Sequence, residues 1–414
     1  MIKFKKEKKK CFIMNSAILQ RPLYVNLVYG PVKAGKSSEL VNIILSLIRG
    51  GHVSDNMIEV FKHPLSDRMY KNEIHAAGGN RFPAKEAATA DDIFDELKKN
   101  PEAKYIFIDG ANFYDDDIVE LVEALRDSQR FITLGGLNLD YDAEPFGQMD
   151  KLMALAQNYV KKSASSQLSG EEADMSLKRN GEYIPVSRSE YFGFKDGKRP
   201  RIKAIVGPMY SSKTESLLEE IDKLKWLKSK HPRDDSYDYD IFKSSIDTRY
   251  KKEEITSHNQ RSEPCRLIDD GKELEEILEN EPFKKNIVID EAQFIPGISD
   301  VIKKYYSKGY SFIISALKRD YKGEPFNKDI GRILCLADDI VDRTGFCSYP
   351  GCSNIATETQ RFIDIDGERL ASSYDEPQIQ QGAQEAYTTR CSEHHIVRGK
   401  EGHNKYFEIK YIVR

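Results

Sequence analysis

The sequence predicts an α/β protein built of two tandem domains with mostly parallel sheets, and three observations carry that expectation. The chain has 414 residues, more than one ordinary hydrophobic core holds. It repeats itself. Each repeat opens with an apolar strand, a glycine-rich loop and a helix, then alternates strands and helices, the pattern of a sheet with helical crossovers.

The first repeat begins at LYVNLVYGPVKAGKSSELVNIIL and the second at RIKAIVGPMYSSKTESLLEEI. Phe61-Lys62 pairs with Phe242-Lys243, Arg68 with Arg249, Glu73-Ile74 with Glu254-Ile255 and Asp109 with Asp290, all at one constant offset. After a single-residue slip, LNLDYDAEPFG (137–147) answers LKRDYKGEPFN (317–327). Coincidence explains one such pair but not an ordered series, so the chain is a duplication. Strands are expected at 23–29, 57–61, 104–109 and 130–135, with counterparts at 201–206, 238–243, 285–290 and 310–315. Helices are expected at 36–49, 91–99 and 115–127, and at 213–228, 271–279 and 298–308. The charged, Gly/Pro-bearing stretch FKDGKRPR (194–201) marks the boundary. The expected organisation is a tail at 1–20, a first domain at 21–199 and a second at 200–414.

Composition narrows the function classes. Hydrophobic residues make up 39% and charged residues 31%, as in soluble globular proteins. A formal net charge of −4 argues against a dedicated nucleic-acid binder, and no apolar run approaches a membrane span. The basic start MIKFKKEKKKCFIM has too short an apolar stretch for a secretory signal and reads as a solvated tail. The expected location is cytoplasmic. Six cysteines, four of them in the last eighty residues, suggest metal rather than disulfide chemistry.

GPVKAGKS (30–37) satisfies G-x-x-x-x-G-K-[ST] between a strand and a helix. Such a phosphate loop wraps backbone N–H groups around the β- and γ-phosphates, its lysine adds charge, and its hydroxyl binds Mg²⁺. Gly30, Gly35, Lys36 and Ser37, with Asp109 at the end of a later strand, form this loop set. The second loop comprises Gly207, Pro208, Met209, Tyr210, Ser211, Ser212, Lys213 and Thr214. Ser212 stands where glycine is usual, because a Cβ can obstruct the conformation needed there. NIVIDEAQF (286–294) compensates. Asp290 ends an apolar strand near the loop hydroxyl, where it can hold the Mg²⁺ shell. Glu291 follows, either as a general base for an acceptor hydroxyl or as one of a water-positioning pair. The first repeat reads YIFIDGANF (105–113): Gly110 replaces that glutamate, and a glycine cannot be a base.

Near the C-terminus, Cys347-x4-Cys352 and Cys391-x2-His394 give two ligand pairs suited to a structural Zn²⁺, with His395 an alternative fourth ligand. In the first repeat Ser166, Glu171 and Ser187 stand at three of these places, so no zinc site is expected there.

GPMYSSKTESL, FKSSIDTRY, TSHN, IDEAQF, SALKRDYKGEPF and AYTTRCSEHH occur in the order and spacing of type II thymidine kinases, which the chain resembles over 200–414 and, in degenerate form, over 21–193. The resemblance implies two P-loop NTPase-like domains, the second with a small zinc-bound lasso part at 345–398. It implies transfer of the γ-phosphoryl group of ATP, with Mg²⁺, to the 5′-hydroxyl of a pyrimidine deoxynucleoside, thymidine or deoxyuridine. Glu291 then matches the general base, and Arg249 would neutralise the transferring phosphoryl group. Gln293 joins the ATP and Mg²⁺ set. Met209, Phe294, Leu317, Tyr321, Phe326, Thr359 and Tyr387 would line the nucleoside pocket, although Phe294, Leu317 and Phe326 equally suit ordinary core packing. The resemblance also implies a homo-oligomer and no nucleic-acid or membrane partner.

Three departures stand out. Ser212 replaces the loop glycine. Gln381-Gly382-Ala383 replaces Ile-Gly-Gly ahead of the lasso tyrosine, and Lys318-Arg319 replaces Asp-Gly. In the first repeat TSHN becomes AAGG (76–79), the base is gone, and neither zinc ligands nor a lasso are expected. That repeat reads as a pseudo-enzyme half that replaces a subunit contact.

Overall fold

A computed structural model describes residues 24–411 apart from 52, 67–70, 77, 195–198, 247–252, 258, 283 and 381–383. The basic tail, Arg68, Arg249, His258 of TSHN and Gln381-Gly382-Ala383 lie outside the described residues.

The first half contains β1 (Val25–Tyr29), α1 (Lys36–Arg49), β2 (Ile58–Lys62), β3 (Lys85–Glu86), α2 (Ala90–Lys99), β4 (Tyr105–Asp109), α3 (Asp117–Asp127), β5 (Phe131–Gly136), α4 (Met149–Leu155) and β6 (Asn158–Lys161). A hairpin, β7 (Met175–Arg179) and β8 (Glu182–Val186), and the short helix α5 (Arg188–Phe192) complete it. The second half repeats the series with β9 (Ile202–Val206), α6 (Lys213–Lys230), β10 (Tyr239–Ser244), β11 (Arg266–Ile268), α7 (Gly271–Asn280), β12 (Asn286–Asp290), α8 (Ile298–Ser307), β13 (Ser311–Ala316), α9 (Lys328–Leu336) and β14 (Asp339–Asp342). It ends in β15 (Glu358–Ile365), β16 (Glu368–Ala371) and β17 (Tyr387–Arg390).

Both sheets have six strands in one order, β3-β2-β4-β5-β1-β6 and β11-β10-β12-β13-β9-β14. Every neighbouring pair is parallel. The expected α/β class with two parallel-sheet domains is therefore found. The central strands are buried on both faces, which is why VNLVY and NIVID read as near-continuous apolar runs. Each phosphate loop leaves the carboxyl end of its sheet, one strand removed from the strand that ends in Asp109 or Asp290, where open α/β sheets place ligands.

The halves share a single hydrophobic cluster, with Leu152, Met153 and Leu155 of α4 and Ile330, Ile333 and Leu334 of α9 among its members. Buried polar side chains cross the seam. Asn138 Nδ2 donates to Cys335 O at 2.8 Å. In the other direction Lys318 Nζ and Arg319 Nη1 donate to Ala156 O and Leu155 O at 2.5 and 2.8 Å. These carbonyls close α4, the end where a helix favours positive charge. The Lys318-Arg319 departure thus serves the seam between halves. The last described residues strap back onto the first half, where Tyr406, fully buried, packs edge-on to Phe94 at 5.1 Å. Arg130 Nη1 also donates to Ile409 O at 3.0 Å. No described helix is long and apolar enough to cross a membrane.

Candidate active site and metal centre

The two phosphate loops have one backbone shape despite their different residues. Gly35 precedes α1 at φ +76° and ψ +28°, and Ser212 precedes α6 at φ +60° and ψ +31°. Tyr210 and Lys33, two residues earlier, share a left-handed conformation. Ser212 therefore takes a conformation that costs an L-residue about 1 kcal/mol, and the helix start keeps its place. Ser212→Gly should stabilise the chain by roughly that amount in urea unfolding; an unchanged or lower midpoint would show that the serine side chain offsets the strain. Lys213 Nζ donates to Pro208 O at 2.7 Å and Lys36 Nζ to Pro31 O at 2.6 Å. In the first half Ser37 Oγ also donates to Asp109 Oδ2 at 2.9 Å, so the hydroxyl and carboxylate expected at a Mg²⁺ site are in contact.

Asp290 and Glu291 are buried together at the end of β12. Glu291 has φ +53°, a left-handed position that is uncommon for a large side chain. Asp290 Oδ1 accepts from Glu291 N at 3.1 Å. Gln293 Nε2 donates to Glu291 Oε2, while its Oε1 accepts from Leu317 N at 2.9 Å. Gln293, grouped in the sequence with ATP and Mg²⁺, thus sits as a bracket that ties the glutamate to the end of β13.

In the first half Gly110 has φ +79°, and a Cβ there would lie 2.7 Å from Ser66 Cβ and 3.2 Å from His63 Cβ. The space for a base has been filled. Gly110→Glu should therefore give the first half no activity and lower stability, checked by turnover in a Glu291→Gln background.

Beyond the carboxylates, Phe294 and Phe326 meet edge to face at 5.7 Å and 83°. Thr359 Oγ1 accepts from Met209 N at 3.1 Å, joining β15 to the phosphate loop. Tyr321 reaches the chain that follows β16. It is buried, its hydroxyl lies 2.9 and 2.8 Å from Ser373 O and Glu376 O, and the Arg361 guanidinium covers its ring at 3.5 Å. It anchors the loop after β16. Tyr387 opens β17 opposite Arg361.

A family model described as thymidine kinase matches residues 23–191 and again 200–395. The chain belongs to the thymidine kinase family. That membership carries nucleoside-kinase chemistry of the phosphotransferase type, and the two matched segments coincide with the two sheets.

The expected family metal centre has its donors assembled. One ligand atom from each of Cys347, Cys352, Cys391 and His394 lies within 4.8 Å of all the others. Cys391 Sγ is 3.2 Å from His394 Nδ1 and 4.0 Å from Cys352 Sγ. Three thiols and an imidazole suit a closed tetrahedral zinc. His395 is engaged elsewhere: its Nε2 is 2.8 Å from Tyr321 O. Metal analysis should find one zinc per chain, and chelation should lower the melting temperature.

The first half replaces this cluster with hydrogen bonds. Glu190 follows Ser187 by three residues, as His394 follows Cys391. Its Oε2 accepts from Ser166 Oγ and Ser187 N, both at 2.7 Å. Burial pushes this carboxyl up, but hydrogen bonds from Ser166, Ser169 and Ser187 outweigh it and hold the group down at about 2.

One expectation is corrected. The first half keeps a short counterpart of the lasso, the hairpin β7–β8. Ser176 Oγ accepts from Val32 N at 3.1 Å, as Thr359 does from Met209. Counting along the two ladders from these residues, Tyr183 faces Lys178 where Tyr387 faces Arg361. Some twenty residues are deleted between them, which hides the match from a constant-offset comparison. Gln157 and Asn112 were also missed. Gln157 lies in no motif, Asn112 stands in YIFIDGANF at the place of Gln293, and only the fold shows what they touch.

Proposed function

We propose that the C-terminal half phosphorylates the 5′-hydroxyl of thymidine or deoxyuridine with ATP, and that the N-terminal half is a non-catalytic support. The observation that carries this reading is the buried Glu291, held by Gln293 beside Asp290 at the end of β12. Glu291 would take the hydroxyl proton as the new P–O bond forms and ADP leaves. Lys213 would stabilise the charge on the phosphates, joined by Arg249 on the resemblance of its motif. Thr214 and Asp290 would hold Mg²⁺, which would supply positive charge against the phosphates. Phe294 and Phe326 would flank the flat pyrimidine.

Support from the first half is read from Gln157. Its Nε2 lies 2.9 Å from Thr357 Oγ1 and 3.2 Å from Glu358 Oε1, at the root of the strand that meets the phosphate loop. Thiolate ligands to zinc suit a reducing, cytoplasmic compartment, and a homo-oligomer of these chains is part of the proposal.

The test is phosphate transfer from labelled ATP to thymidine by the full-length protein. Transfer supports the reading. No transfer to any pyrimidine nucleoside, with ATP still bound, would replace it with a nucleotide-sensing scaffold.

A further inference from the structure

A cleft of about 990 Å³ opens in the first half. It runs without interruption from the phosphate loop (Gly35, Lys36, Ser37) past Asp109 and Gly110 to Phe113, Phe146 and Tyr183. One end offers what a polyphosphate needs: a loop at a helix N-terminus, a lysine, and the Ser37–Asp109 pair for a divalent cation. Burial pushes the Lys36 ammonium down to about 8 despite the neighbouring Asp109, so an anion arriving beside it would be strongly favoured. The other end offers what a flat ring needs. Phe113 and Phe146 meet edge to face at 5.4 Å and 79°, repeating the Phe294–Phe326 pair.

Asn112 supplies an independent pointer to a ligand. It is 3% exposed and lines the cleft. Its Oδ1 accepts from Leu137 N at 2.9 Å, which fixes the orientation of the amide. Its Nδ2 then meets no acceptor among the described residues. The counterpart, Gln293, gives the same hydrogens to Glu291. With glycine at 110, the donor has outlived its carboxylate, and a buried amide without an acceptor costs about 1–3 kcal/mol. A ligand acceptor placed there would recover that cost.

We propose that the N-terminal half is a second, turnover-free nucleotide site that takes a Mg²⁺–nucleoside triphosphate, with the phosphates on the Lys36 loop and the nucleoside against Phe113, Phe146 and Asn112. Gly110 offers no carboxylate where Glu291 stands in the second half, so the ligand is held and released unchanged. This extends the proposed function, and its readout is equilibrium binding rather than turnover.

The experiment is equilibrium dialysis of the full chain with the Mg²⁺ complexes of ATP and of thymidine triphosphate in separate arms, which tell a purine from a pyrimidine preference. Wild type should bind two equivalents, Lys213→Met and Lys36→Met one each, and the double variant none. In the Lys213→Met background, Asn112→Asp keeps the acceptor for Leu137 and removes the donor; affinity should fall about tenfold, the worth of one buried hydrogen bond. Each variant is compared at a matched melting temperature. Lys213→Met that binds nothing, or binding that neither Lys36→Met nor Asn112→Asp weakens, would overturn the proposal. Loss of thymidine phosphorylation in wild type with two nucleotides still bound would sink the kinase reading and leave this one standing.

Discussion

Glu291→Gln should lower kcat for thymidine phosphorylation by a factor of roughly 10²–10⁴, the usual contribution of a positioned general base. That corresponds to about 3–5 kcal/mol of transition-state stabilisation. The substitution preserves size and leaves a carbonyl oxygen to accept from Gln293, so the end of β12 keeps its shape. What disappears is the capacity to take a proton. The KM for ATP should therefore stay within a factor of two or three, since uniform binding is untouched. Steady-state kinetics of the full-length protein decides the matter. A variant that keeps a third of wild-type kcat would return Glu291 to a structural role.

The second large effect is expected at the seam. Arg319 lies buried with Nε and Nη2 at 3.1 and 2.9 Å from the two carboxylate oxygens of Glu358. It also donates to Leu155 O and Thr357 O, both at 2.8 Å. Arg319→Met leaves Glu358 buried without its main partner, and such a loss costs about 3–5 kcal/mol. The double variant Arg319→Met/Glu358→Gln should be more stable than the sum of its singles predicts, because the stranded charge is gone. Additive singles in guanidinium unfolding would show that the pair is uncoupled.

The same pair sets a pH dependence. Burial alone would raise the Glu358 carboxyl from its ordinary 4.5, but Arg319 and then Arg126 hold it down at about 2. A carboxyl depressed in the folded state stabilises fully above its unfolded value and loses that contribution as pH falls through the folded one. The contribution, about 3 kcal/mol, should therefore disappear between pH 4.5 and 2, and Glu358→Gln should flatten that part of the stability curve. Thr359 follows Glu358 and touches the phosphate loop, so Arg319→Met should also lower kcat/KM for thymidine.

Most of the fold was legible because parallel strands buried on both faces advertise themselves as apolar runs with Asp at their ends. The helix at 36–49 was placed to the residue, since its phosphate loop marks the start and Gly50-Gly51 the stop. The candidate residues of the second site stand out for a related reason: loop lysine, strand-end carboxylates and zinc donors sit in short, contiguous motifs. What stayed hidden depends on residues brought together from afar. Tyr183 escaped notice behind a deletion that breaks the register. Lys318-Arg319 reads in the sequence only as a departure from Asp-Gly, because their partners, the carbonyls ending α4, lie about 160 positions earlier. Gln157 bonds residues two hundred positions away, and no local pattern announces that.

The shared hydrophobic cluster between α4 and α9 has a consequence for dilution. Two separate chains meeting through such a surface would come apart as their concentration fell, and each would expose that apolar face to water. Here the partner is tethered by one short connection, so its effective concentration is set by the linker and not by expression level. The pairing survives at a single molecule per cell. Residues of the first half away from the seam can then change while the surface is kept, as Gly110 and the hydrogen-bonded Ser166–Glu190–Ser187 clip illustrate.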